Sequence, residues 1–220
     1  GAPIYLPLDD ISGTALVSAF AWSQWYDDWA DRMRKAIPAD QFEKLLEQRL
    51  NICWGLQEGN SGVARAEPPR NVAEADAGDV RNPADPLGWH ELPESSGPGF
   101  RRARRIDVNR DDAAGLIRID AAFQDSAARK STARVAIHEY TLTATADLAT
   151  GELLTLEPKG HILPFWECPG AITNTARLVG TRLGDIRTSV LDQLRGAQGC
   201  THLNDALRAL AEVPLLASKL

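Results

Sequence analysis

The spacing of apolar residues changes three times along the chain, from a helical period to none, then to a period of two, and back to a helical period. Trp22, Trp25, Tyr26 and Trp29 are spaced to share a helix face, and residues 14 to 58 read as helical. Pro38-Ala39-Asp40 interrupts this stretch; Asp40 is suited to cap the helix that follows, with Glu43 completing a capping box. That helix carries Phe42, Leu45, Leu46, Leu50 and Cys53 on one stripe, which predicts a buried face and a structural role for the Cys53 thiol. Residues 59 to 99 hold Pro68-Pro69, Pro83, Pro86, Pro93 and Gly97-Pro98-Gly99 without apolar periodicity. They read as a linker or an arm crossing a surface, with His90 of Trp89-His90 exposed.

From Arg102 the alternation is that of strands. Ile106 and Val108 mark a first strand, the stretch from Asp111 to Gly115 a turn, and Leu116, Ile117, Ile119 and Phe123 a second strand. Residues 133 to 146, rich in β-branched side chains, predict the longest strand, followed by a hairpin turn over Asp147 to Gly151 and a return over Glu152 to Glu157. Helical spacing then resumes after Cys168-Pro169 as far as Gly180, from Asp185 to Leu194, and after Cys200 with Leu203, Leu207 and Leu210. Strands first and helices after predict an α+β fold: an antiparallel sheet with C-terminal helices on one face, and an added helical N-terminal segment. The implied organisation is a helical segment 1–58, a Pro/Gly-rich arm 59–99 and an α+β core 100–220.

Composition narrows the function classes. Hydrophobic residues are 44% and charged residues 25% of the 220, within the range of globular domains. A formal charge of −6 argues against a protein built to wrap nucleic acid. The one basic run, Arg101-Arg102-Ala103-Arg104-Arg105, can be read as a grip for a phosphate or an acyl-CoA, or more plainly as a solvated strand edge that discourages aggregation. No apolar run approaches the ~20 residues of a membrane span. Nor does the start look like a signal peptide, Gly1-Ala2 reading as a cloning remnant, so a cytoplasmic protein is expected. Three cysteines make no disulfide framework and fit reduced thiols.

The candidate chemistry lies in the C-terminal half. Cys168 and Cys200 each precede a predicted helix, where orphan N–H groups and the helix dipole favour a thiolate. His202 follows in Cys200-Thr201-His202-Leu203-Asn204-Asp205, a stretch that crowds a thiol, an imidazole, an amide and a carboxylate together. His138 alternates with Tyr140, Leu142, Ala144 and Ala146, so it belongs on the buried face of its strand and needs a partner there. It reads either as a satisfied core histidine or as a metal ligand. Glu139 points to the other face, and His161 is peripheral. The expected ligand set is His138, Cys168, Cys200 and His202, with Glu139, Tyr140, Asn204 and Asp205 around it. Phosphate-loop, nucleophile-elbow and zincin motifs are absent from the sequence.

Two resemblances follow from these motifs. The run from Phe100-Arg101-Arg102 through His138-Glu139-Tyr140, Leu163-Pro164-Phe165-Trp166-Glu167-Cys168-Pro169 and Arg177-Leu178-Val179-Gly180 to Cys200-Thr201-His202-Leu203-Asn204-Asp205 resembles a bacterial family of unknown function, number 2889, over about residues 100 to 214. The order of hairpin, helix-start cysteine and second helix-start cysteine is similar to the NifU-type iron–sulfur scaffolds. In that likeness Cys168 and Cys200 fall on the second and third cysteines, His138 near the ligand-motif aspartate, and Ala136 near the absent first cysteine. Two thiolates with one or two imidazoles suit one zinc or iron ion.

Three functions remain open at this stage. One is a metalloenzyme holding a mononuclear ion and acting on a small organic substrate. Another is a metal-free enzyme with Cys168 or Cys200 as nucleophile and His202 as base. The third is a non-catalytic partner protein, docked on another subunit or a second copy through the aromatic N-terminal helices.

Overall fold

The computed structural model describes residues 5–63, 75–94, 96–131 and 133–220. Strands β1 (Phe100–Asp111), β2 (Leu116–Ala128), β3 (Arg134–Asp147) and β4 (Leu153–Ile162) form one antiparallel sheet in the order β1-β2-β3-β4. The β3–β4 turn is made by Asp147, whose Oδ1 accepts the N–H groups of Ala149 and Thr150, and by Gly151 at φ 70°, a conformation that glycine enters without a Cβ clash. Strict alternation loads one face with Ile117, Ile119, Ala121 and Phe123 from β2, and Tyr140, Leu142, Ala144 and Ala146 from β3.

The C-terminal helices cover that face. They are α5 (Gly170–Thr173, continued by a 3₁₀ turn to Leu178), α6 (Ile186–Gln193), α7 (Thr201–Ala209) and α8 (Val213–Ala217). Their Leu178, Ile186, Val190, Leu203 and Leu207, with Leu210 of the 3₁₀ turn that joins α7 to α8, are buried against the sheet residues. The fold is α+β, as the change of period predicts. The strands at 100–111 and 116–128 are longer than the apolar residues alone mark, because polar rungs extend both.

The arm pairs edge-on with the start of β3 and then crosses the opposite face of the sheet. Asp76 bridges to Val135, Gly78 O accepts from Gln124 Nε2 at 2.7 Å, Val80 O accepts from Arg105 Nε at 2.9 Å, and Leu92 O accepts from Arg101 at 3.1 Å. The proline pair Pro68-Pro69 lies outside the described residues.

The N-terminal segment departs from expectation in three ways. It is helical from Tyr5 rather than from residue 14, as α1 (Tyr5–Val17), α2 (Ala19–Ser23), α3 (Trp29–Ala36) and α4 (Ala39–Arg49). Pro38, not Asp40, occupies the N-cap of α4, which places Asp40 in the first turn. The apolar stripe of α4 is not covered: Leu45, Leu46 and Leu50 are exposed, although Cys53 beyond the helix is buried. Of the aromatic residues, Trp25 donates its indole N–H to Ala128 O at 2.7 Å, while Trp22 stacks on Tyr26 and Trp29 and stays partly in solvent. Ala21 of α2 is buried against Ala127 and Val135, which anchors the segment to the sheet end.

Candidate metal centre

The apolar rungs of the sheet end in a charged one. Arg104, Phe123 and Tyr140 are cross-strand neighbours, and two residues along each strand the same face presents Arg102, Asp125 and His138. A bulge follows at once, since Asp125 pairs with His138 but Ser126 pairs with Ala136, leaving Ile137 as the extra residue. Arg102 makes the transition: its guanidinium lies 4.8 Å from the centroid of the Phe123 ring. It donates to both oxygens of Asp125 at 2.8 Å and to Asp205 Oδ2 at 2.6 Å, with its side chain 7% exposed.

Helix α7 delivers the remaining groups. Cys200 is its N-cap residue, and the three-residue spacing of His202 and Asp205 puts both on the face turned to the sheet. His202 stacks on His138 with ring centroids 3.6 Å apart and 16° between planes. His138 Nδ1 and His202 Nε2 each lie 3.8 Å from Asp125 Oδ2. These three residues offer ligand atoms all within 4.8 Å of one another. His138 Nδ1 is buried and has no hydrogen-bond partner among the described residues, which is costly for a polar nitrogen.

Both imidazoles are held neutral. Burial, then the neighbouring His202 and Arg102, push His138 well below its ordinary value. Burial and Arg102 bring His202 down to about 3. Burial raises Asp125 against the pull of Arg102, and raises Asp205 to about 6. Neutral imidazole is the ligating form.

The thiols occupy different surroundings. Cys200 Sγ accepts from Tyr140 OH at 3.3 Å, and Cys168 packs beside Gly55 of the turn that follows Cys53. The expected depression of their pKa values is reversed. Burial raises Cys200 against the hydrogen bond from Tyr140 and the N–H groups of Leu203 and His202, which pull it down; burial also raises Cys168, and takes Cys53 to about 12. Desolvation dominates because each thiol lies inside the core rather than at an open helix end. Of the expected ligands the structure therefore brings His138 and His202 together and leaves Cys168 and Cys200 outside that group of atoms. Asp205 and Tyr140 border it, Asn204 ties α7 to Leu194 O at 2.8 Å, and Glu139 projects to the opposite face, where it accepts from Gln124. His161 is exposed on β4 and bonded to Thr141.

Helix α1 closes the centre from outside. Asp10 pairs with Arg102 at 3.1 Å and Arg104 at 2.7 Å, while Asp9 forks onto Arg187 at 2.9 and 2.6 Å and faces Arg208. Gly13 O lies 3.2 Å from His202 Nε2, close enough to accept its proton. Glycine lets the helix approach this closely, because a Cβ would stand 2.2 Å from Asp205 Oδ2. Sequence reasoning missed Asp125 and Arg102 as site residues, although the alternation through Phe123 and Ile106, carried on past the apolar positions, reaches both; nothing in the sequence indicates that Asp9 and Asp10 turn inward.

Among the described residues no helix is long and apolar enough to cross a membrane. No curated protein and no solved structure matches the chain. The model of the family described as Protein of unknown function (DUF2889) matches residues 100–215, which take in β1 to β4, α5 to α7, and with them Arg102, Asp125, His138, His202 and Asp205. The match spans more than half of the chain, and the protein belongs to that family.

Proposed function

We propose that Asp125, His138 and His202 hold a single transition-metal ion, zinc or iron, and that the protein is a metal-dependent enzyme acting on a small organic substrate. The observation that carries this reading is the unpartnered, buried Nδ1 of His138, facing a carboxylate and a second neutral imidazole. Two histidines and one carboxylate form a donor set used by catalytic zinc and by non-haem iron, and it leaves coordination positions open. Such an ion would polarise a substrate oxygen or acidify a bound water.

The donor set suits an ion, but holding one would require the ligand atoms, now within 4.8 Å of one another, to close up. Bonds of about 2.0–2.1 Å place tetrahedral ligand atoms about 3.3 Å apart, somewhat closer than the 3.8 Å spacings here. Nearly parallel rings aim their lone pairs along parallel lines, so one imidazole must tilt out of the stack to share an ion with the other. Arg102 fixes Asp125 by a two-point grip, the outer support that ligating carboxylates usually have.

His202 Nε2 cannot donate to Gly13 and ligate an ion at the same time. Ion binding through that nitrogen therefore releases the hydrogen bond from α1. The test is elemental analysis of tag-free chain after incubation with zinc or ferrous iron. About one ion per chain is expected, lost in H138A and H202A and kept in C168S. No ion in the wild type, or an ion kept in both histidine variants, contradicts the reading.

A further inference from the structure

We infer that the four arginines beneath α1 form a binding seat for a small organic dicarboxylate, and that Asp9 and Asp10 occupy this seat when α1 is docked. The seat surrounds the proposed metal centre, so naming the dicarboxylate as substrate rests on that reading, whereas its binding does not.

Charge is the first ground. Of the four, Arg102 and Arg208 pair with the core carboxylates Asp125 and Asp205. Arg104 and Arg187 have, among the described residues, only Asp10 and Asp9 as carboxylate partners, and the same two acids also reach Arg102 and Arg208. Each acid sits between a pair of guanidiniums, Asp10 between Arg102 and Arg104, Asp9 between Arg187 and Arg208. That is a two-carboxylate template, and planar guanidiniums recognise carboxylates by paired N–H donors.

The second ground is how α1 is attached. Gly13 is its only buried residue, and Tyr5, Leu8 and Ile11 are exposed at 52%, 53% and 61%. The helix turns both acids towards the arginines while Tyr5, Leu8 and Ile11 face solvent and Leu6, Leu16 and Val17 are only part-buried, unlike a helix held by a continuous apolar stripe. Ion pairs and the Gly13–His202 hydrogen bond hold it, and both can be exchanged for a ligand's carboxylates and a metal ion. A third ground is that the arginines lie within the family match at 100–215, while the two acids lie outside it. The seat thus belongs to the shared domain and its present occupant to the added segment.

A docked α1 lowers apparent affinity by the fraction of time that it covers the seat. Succinate is the probe, with acetate as the single-carboxylate control. Calorimetry on wild type and on the D9N/D10N variant reads affinity, and hydrogen exchange on wild type reads α1 directly, so a misfolded variant does not decide the matter. The expected results are faster exchange confined to residues 5–17 on adding succinate but not acetate, and at least about tenfold tighter succinate binding by the variant. Unchanged exchange of residues 5–17, or equal response to acetate, overturns the inference. Metal content is measured on the same samples. A metal-free chain that still binds succinate in this way refutes the metal reading alone, and a metal-loaded chain indifferent to succinate refutes this inference alone.

Discussion

His138 and His202 stack face to face with ring centroids 3.6 Å apart, although one comes from the middle of a strand and the other from the first turn of a C-terminal helix. Two buried neutral rings beside a buried carboxylate are kept in place by Arg102, which spans Asp125, Asp205 and Asp10. The same guanidinium thus joins the sheet, α7 and α1.

Arg102 should accordingly be the residue least tolerant of truncation. Arg102→Ala leaves Asp125 and Asp205 inside without their shared counter-charge, a loss of about 3–5 kcal/mol. Arg102→Lys should recover only part of this, since an ammonium cannot fork onto both oxygens of Asp125. Denaturant melts of the three chains check it. Equal stability of the lysine variant and wild type would show that charge alone suffices.

Gly13 offers a way to loosen α1 without touching the core. Gly13→Ala puts a Cβ 2.2 Å from Asp205 Oδ2; since Arg102 and Arg208 hold that carboxylate, the expected response is an outward shift of α1. Faster amide exchange is expected across residues 5–17, with the global melting temperature nearly unchanged because α1 buries so little apolar surface. A global loss of stability instead would mean that α1 is part of the cooperative core.

Acid should weaken the chain in a way that Asp205 partly offsets. His202 titrates near 3 when folded against an ordinary 6.5, so the unfolded state takes up its proton first and stability falls as pH drops from about 6.5 towards 3. His138 acts in the same direction. Asp205 is raised to about 6 from 3.8, so the folded state binds its proton first, adding stability as pH falls through that window. Asp205→Asn removes this opposing contribution along with its pairs to Arg102 and Arg208, so the slope with pH and not the absolute stability is compared. Melting temperature measured on chelator-treated protein should therefore fall more steeply between pH 6 and pH 4 in the variant. A shallower slope than wild type contradicts this assignment.

Much of the fold was legible, and part of the centre. The alternation His138, Tyr140, Leu142, Ala144 placed His138 on the helix-covered face, and helical spacing after Cys200 placed His202 at the start of α7. Asp125 was missed because Gln124-Asp125-Ser126 ends the run of large apolar residues, yet the pairing of β2 with its neighbours continues to Ala128. The arginine run looked like a solvated edge because sequence shows charge and not direction. Arg101 and Arg105 do turn to the arm, but Arg102 and Arg104 turn to α1 and the centre. The thiols looked activated because helix starts favour thiolates, and burial, which a local motif does not reveal, reverses the effect.

The most direct test of the centre is X-ray absorption at the metal edge of the zinc- or iron-loaded chain. Ligation by Asp125, His138 and His202 predicts a first shell of nitrogen and oxygen alone at about 2.0–2.1 Å, with the outer scattering of imidazole rings. A sulfur shell at about 2.3 Å would assign the ion to Cys168 or Cys200 instead, and a chain that binds no ion would remove the metal centre altogether.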